Sequence, residues 1–240
     1  MYIRYVVLAI MLVYLPGCGI IDYFAVPKPE QTAQELYENA KDAMEEKHYA
    51  QAAEYYEKLK DNYPLSPYTV EAERSLGDAL FFDEKYAEAV EAYKEFETLH
   101  PRHPDIPYVL YQIGMSNLKT FISIDRPTTS IQEAYEYFQR VQETFPDSPY
   151  AEAAVNEMNA CRLIMVEHEL YIANVFWNMG KYGPAWKRYT FILENFSDVP
   201  NVSEYTKERS LAAYFLYRKQ ESQAEREQIH GSWKKLFNWL

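Results

Sequence analysis

Glycine is scarce, with 7 among 240 residues. So few leave little for phosphate-cradling loops or the tight turns of β-hairpins. There are 2 cysteines, too few for a disulfide framework. Basic residues are in deficit. The 24 Lys and Arg face 36 Asp and Glu, and a net charge of −12 offers no basic stripe to nucleic acid. The apolar run from Val6 to Leu15 stops at ten residues, and a spanning helix needs about 20.

Catalytic patterns are missing too. His168-Glu169 reverses the start of a zincin motif and has no second His. Gly114-Met115-Ser116 lacks the second Gly of a nucleophile elbow. His100 and His103 have metal-like spacing, but each lies beside a Pro in a turn. Cys161 has no obvious His partner and reads as a small core residue. No Walker or dinucleotide fingerprint occurs. Neither catalysis, a metal nor a soluble cofactor is expected.

What is present is 48% apolar residues and 23 Tyr among helix formers, a composition for helices packed through aromatic rings. The first residues carry one charge, Arg4, before the apolar run. That order fits a secretory signal. The run ends in Leu15-Pro16-Gly17-Cys18, which resembles a bacterial lipobox, with Pro16 departing from the usual residue before the small one. Residues 1–17 then form a lipoprotein signal peptide, and 18–31, with Pro27 and Pro29, a lipidated Cys and its tether. Cys18 would carry diacylglycerol and an N-acyl chain, and several chains anchor firmly. Gly19 stands where an inner-membrane lipoprotein often has Asp, which favours the outer membrane.

Subtraction reveals a repeat. Ala40 to Gly77, Tyr49 to Tyr86, Ala52 to Ala89, Tyr56 to Tyr93 and Pro64 to Pro101 are each 37 residues apart. Gly114, Ala134, Phe138 and Pro146 form a third unit around an insertion at Lys119 to Ser130. Ala173, Tyr182, Ala185 and Tyr189 form a fourth, and a degenerate fifth would start at Val202. These positions resemble the tetratricopeptide (TPR) helix–turn–helix pattern. The small residue would let the second helix approach, with the Ala of that helix packing into the gap and the aromatic filling space between units. Tyr49, Tyr86 and Tyr182 read as packing residues. Ser66-Pro67 and Ser148-Pro149 predict helix starts with Ser as N-cap and Pro at the first helical position. No Pro or Gly occurs from Tyr150 to Met179. The expected fold is all-α, a TPR-like helical-hairpin solenoid of about five repeats, with one long helix near 149–179.

The segment His103-Pro104-Asp105-Ile106-Pro107-Tyr108-Val109-Leu110-Tyr111-Gln112-Ile113-Gly114-Met115-Ser116-Asn117 closely resembles the BamD family of outer-membrane β-barrel assembly lipoproteins. So do the Asp125-Arg126 loop, the P-x-S-x-Y turns, and His168-Glu169-Leu170 leading into Gly180-Lys181-Tyr182. The resemblance implies a lipid-anchored protein on the periplasmic face of the outer membrane. Its partners would be BamA, other Bam lipoproteins, and unfolded outer-membrane β-barrel proteins recognised at a C-terminal segment ending in an aromatic residue. Another TPR lipoprotein scaffold, such as a secretin pilotin, is the alternative; a cell-wall enzyme accessory fits less well.

Under this reading residues 32–146 hold three units and a substrate groove, and 147–240 hold the long helix and the BamA-binding half. Repeat offsets place Tyr37, Lys41 and Met44 on the inner face of unit one. Arg74, Asp78, Phe81 and Phe82 take similar places in unit two, and Tyr108, Tyr111, Met115 and Lys119 in unit three. Tyr, Phe and Met could cover a terminal aromatic ring, and Arg74, Lys41 or Lys119 could pair with its carboxylate. Met44, Phe81 and Met115 could instead be inter-repeat core. The resemblance implies that Arg188 contacts BamA; a solvated surface Arg is the plainer reading. At the C-terminus, Trp233, Leu236, Phe237 and Leu240 form a helical stripe beside Lys234, Lys235 and Trp239. That stripe is expected to cap Leu211, Tyr214 and Phe215, with a bilayer contact as the alternative.

Overall fold

A computed structural model describes residues 31–200 and 202–230. The lipobox, Cys18 and the stripe from Trp233 to Leu240 lie outside them. Nine helices follow in order among the described residues: α1 (Ala33–Glu45), α2 (Tyr49–Asn62), α3 (Thr69–Phe82), α4 (Tyr86–Leu99), α5 (Ile106–Thr120), α6 (Thr129–Thr144), α7 (Ala151–Asn178), α8 (Tyr182–Asn195) and α9 (Ser203–His230). Each packs against the next, so the chain is a TPR-like solenoid of four hairpins and a last helix. The first helix starts on a capping box, with Thr32 Oγ1 accepting from Glu35 N–H and the Glu35 carboxylate accepting from Thr32 N–H.

Three hairpin turns share one geometry. Lys47, Glu84 and Gly180 have φ of 62°, 60° and 70°. The residue after each donates its N–H five residues back, as His48 does to Ala43 O, Lys85 to Leu80 O and Lys181 to Phe176 O. This is the Schellman closure, which wants glycine at the left-handed position; only the fourth hairpin has it. The third hairpin instead uses the inserted loop 121–128, and its Ile124 carbonyl meets Nδ1 of His168 on α7 at 2.6 Å.

The structure corrects one expectation and adds detail to two. The small residues do admit the second helix, and the ring of the same unit stands directly over Gly77 and Gly114. A Cβ on Gly77 would come within 2.5 Å of the Tyr93 ring, and one on Gly114 within 2.6 Å of Phe138. The Ser-Pro pairs precede the helices instead of starting them. Tyr68 and Tyr150 are the N-caps, because Ser66 O and Ser148 O accept from the residue three further on and so close a separate turn first. The degenerate fifth unit is represented among the described residues by the 28-residue helix α9.

The long helix is present as α7, with 28 residues, about 42 Å at 1.5 Å per residue. It joins separate cores. Ala154 and Cys161 belong to the core that begins at Leu36. Val166 packs with Ile192 and Phe196, and Ala173 with Ala185, Tyr189 and Ala213. Tyr86 meets Phe81 edge-on and Tyr182 meets Trp177 edge-on, each at the end of the preceding helix, while Tyr49 stacks on Phe82 at the end of the following helix α3.

Candidate functional site

Arg74 and Asp78 stand one turn apart on α3 and so share a face. Asp78 is 8% exposed. One carboxylate oxygen accepts from Tyr93 Oη of α4 and Tyr108 Oη of α5, each at 2.6 Å. The other lies 2.6 Å from Arg74 Nη1. Arg74 Nε is 3.2 Å from Asp105, and the guanidinium sits 5.7 Å from the centre of the Tyr108 ring. Gln112 Nε2 donates to Tyr108 Oη at 2.9 Å. Burial and the nearby Asp78 carboxylate push the Tyr93 and Tyr108 phenols well above their ordinary range. Arg74 is thus balanced by two carboxylates of its own chain.

Aromatic rings extend this cluster both ways. Tyr37 stacks on Tyr68 at 5.1 Å, with Lys41 Nζ 5.6 Å from its ring centre. Burial, then the neighbouring Glu71, raises the Tyr37 phenol. Tyr108 and Tyr111 lie 5.5 and 5.7 Å from Tyr150 at the start of α7. Arg74, Pro104, Asp105, Pro107, Tyr108 and Tyr150 line a cavity of about 300 Å³.

The structure therefore brings Arg74, Asp78 and Tyr108 into one cluster, joins Tyr37 to Lys41, and sets Tyr111 against Tyr150. Met44, Phe81 and Met115 pack against the core. Phe82 is half exposed at the end of α3, and Lys119 is exposed in the last turn of α5. Sequence reasoning missed Tyr68, Tyr93, Asp105 and Tyr150. A signal existed for three of them, since Pro67-Tyr68, Pro104-Asp105 and Pro149-Tyr150 occupy the same place in the repeated turn.

In the second half, Arg188 Nη1 lies 2.9 and 2.8 Å from the two carboxylate oxygens of Glu169 on α7. Beside it, Phe176, Gly183, Pro184, Trp186, Arg188 and Tyr217 line a cavity of about 400 Å³. Trp186 packs between Tyr214 and Tyr217. Leu211 and Phe215 on α9 are each 69% exposed, and Tyr214 is 44% exposed. Cys161 is buried among apolar residues, which pushes its thiol up to about 12.

Stacked hairpins with an aromatic and charged face make a TPR-type scaffold. The family described as YfiO, outer membrane lipoprotein, matches residues 29–229. The chain belongs to this family, which is that of BamD. An outer membrane protein assembly factor BamD of Neisseria meningitidis is 29% identical over 97 residues, covering 40% of this chain and 36% of that protein. A BamD of Xylella fastidiosa is 28% identical over 177 residues, covering 70% of this chain and 60% of that protein. The chain thus aligns with less than two thirds of the length of either relative. A solved tetratricopeptide repeat protein from Parabacteroides merdae aligns with 83% of this chain and 79% of its own at 15% identity and a TM-score of 0.42. No helix among the described residues is long and apolar enough to cross a membrane.

Proposed function

We propose that this chain is an assembly factor for outer-membrane proteins, a scaffold without catalysis that is held on the periplasmic face of the outer membrane by lipid on Cys18. Its N-terminal hairpins bind unfolded β-barrel proteins, and its C-terminal half binds BamA within a complex of further Bam lipoproteins. The observation that carries this reading is the family match over residues 29–229, which runs through every hairpin of the fold. The relatives bear the name of outer membrane protein assembly factor. The strip from Tyr37 through Arg74 and Tyr108 to Tyr150 supports the substrate half of the reading. It offers ring faces to an aromatic side chain, with Arg74 held in place by Asp78 and Asp105 beside them.

The test is mild-detergent purification of the acylated chain from outer membranes. BamA is expected as its main large partner. A secretin in that place would overturn the proposal in favour of the pilotin reading. Photocrosslinkers at Tyr37, Arg74 and Tyr108 should capture nascent barrel proteins; capture confined to positions beyond 150 would move the substrate site elsewhere.

A further inference from the structure

The clasp around Asp78 occurs a second time, with one change. Asn174 follows the small residue Ala173 as Asp78 follows Gly77. Tyr189, the framework aromatic of the fourth hairpin, donates to Asn174 Oδ1 at 2.6 Å, and Tyr205 of α9 donates to the same atom at 3.1 Å. Tyr93 and Tyr108 do the same to Asp78. An arginine lies over the second tyrosine in both places. Arg74 is 5.7 Å from the Tyr108 ring, and Arg209 is 5.4 Å from the Tyr205 ring.

The change is one of charge. Arg74 is neutralised by Asp78 and Asp105. The equivalent of Asp78 is the uncharged Asn174, and Arg209 forms no ion pair among the described residues. A second ring takes the place of the carboxylate, with Trp177 4.6 Å from the guanidinium. A guanidinium against ring faces is held by its positive charge and its plane, and its in-plane N–H groups still point outward. Those donors match a carboxylate two at a time. Tyr205 is 42% exposed, so the place is open to solvent.

We infer that Arg209, held against Trp177 and Tyr205 and left without a carboxylate by Asn174, binds a carboxylate of a peptide segment between α7 and α9. Asn174 acts here as a positioning residue: it fixes Tyr205 without neutralising the arginine. This site is separate from the proposed groove at Arg74 and does not depend on it.

The experiment uses the full acylated chain in detergent and reads the emission of Trp177, with the Trp177→Phe variant as the subtracted blank. Occupation of the Arg74 groove then gives no signal. Three short probe peptides are titrated: an amidated peptide with a central Glu-Phe pair, its Gln-Phe counterpart, and a peptide with no acidic side chain but a free C-terminal Phe. At least one carboxylate peptide should bind about tenfold more tightly than the Gln-Phe peptide. Which one does so identifies a side chain or a chain end as the source. Arg209→Gln should abolish the difference, and so should Asn174→Asp, which places a negative charge on the atom that Tyr205, the ring beneath Arg209, is bonded to. Equal responses to all three peptides, or tight carboxylate binding surviving in Asn174→Asp and Arg209→Gln, would overturn the inference. The comparison among peptides needs no variant protein to fold beyond the blank.

Discussion

Tyr93 Oη lies 2.6 Å from Asp78 Oδ1 and joins the two helices of the second hairpin at a buried carboxylate. Removing the hydroxyl in Tyr93→Phe should lower unfolding free energy by about 1–3 kcal/mol, the range for leaving a buried polar group short of a partner. Asp78→Ala should cost more, about 3 kcal/mol or above, because it strands two buried hydroxyls and the Arg74 charge. Urea denaturation followed by circular dichroism measures both. Equal losses would show that the carboxylate is not the centre of the cluster.

The raised phenols of Tyr93, Tyr108 and Tyr37 make stability depend on alkaline pH. Their folded pKa values lie above the unfolded value of about 10. Their contribution is therefore complete below about pH 10 and is lost as pH rises beyond it, where only the unfolded chain ionises freely. Denaturation midpoints should hold level from pH 8 to 9.5 and fall between pH 10 and 11.5. Tyr93→Phe should start lower and fall less steeply.

Gly77 and Gly114 test the packing of rings on small residues. A Cβ at either would lie within 2.6 Å of a buried ring. Alanine should cost about 1–3 kcal/mol at each. The loss should be larger at Gly77, because Tyr93 is also pinned through its hydroxyl and cannot slide away, whereas Phe138 has no such bond. Paired thermal melts of the two variants decide the order.

The hairpin turns offer a gain. Glu84 holds φ at 60° where a glycine would sit without strain. Glu84→Gly should raise stability by about 0.5–1 kcal/mol, the relief of left-handed strain less the added freedom of the unfolded chain. Gly180→Ala at the matching turn should lower it by a similar amount.

Arg188 and Glu169 separate a structural pair from a partner contact. Arg188→Glu would set two carboxylates together where an ion pair now stands. Exchanging the two residues should restore most of the melting temperature. If Arg188 also meets BamA, binding measured by pull-down should stay impaired in the exchanged protein, and recovery of both would assign the arginine to the fold alone.

The hairpins could be read before folding because their causes are local. A small residue, two aromatics and an alanine at fixed offsets mark where helices must cross, and a stretch without Pro or Gly from Tyr150 to Met179 leaves nothing to interrupt α7. The exact helix starts were less legible. Ser66 and Ser148 can cap a helix or close a turn before one, and the choice rests on which backbone carbonyls the packed chain leaves available.

The sequence alone therefore determined the repeat, its all-α architecture and the long helix. Only the tertiary structure decided how those residues meet. Arg74 looked like a free cation for a ligand, yet Asp78 and Asp105 already hold it, the latter from another helix's leading turn. Tyr93 looked like packing alone, yet its hydroxyl completes a buried carboxylate. Arg209 carried no motif at all until α9 laid it beside Trp177. The reason is that helical periodicity is set by neighbours three and four residues away, whereas the charge balance of a buried site depends on groups 15 to 31 residues apart, which acquire a common environment only when the hairpins stack.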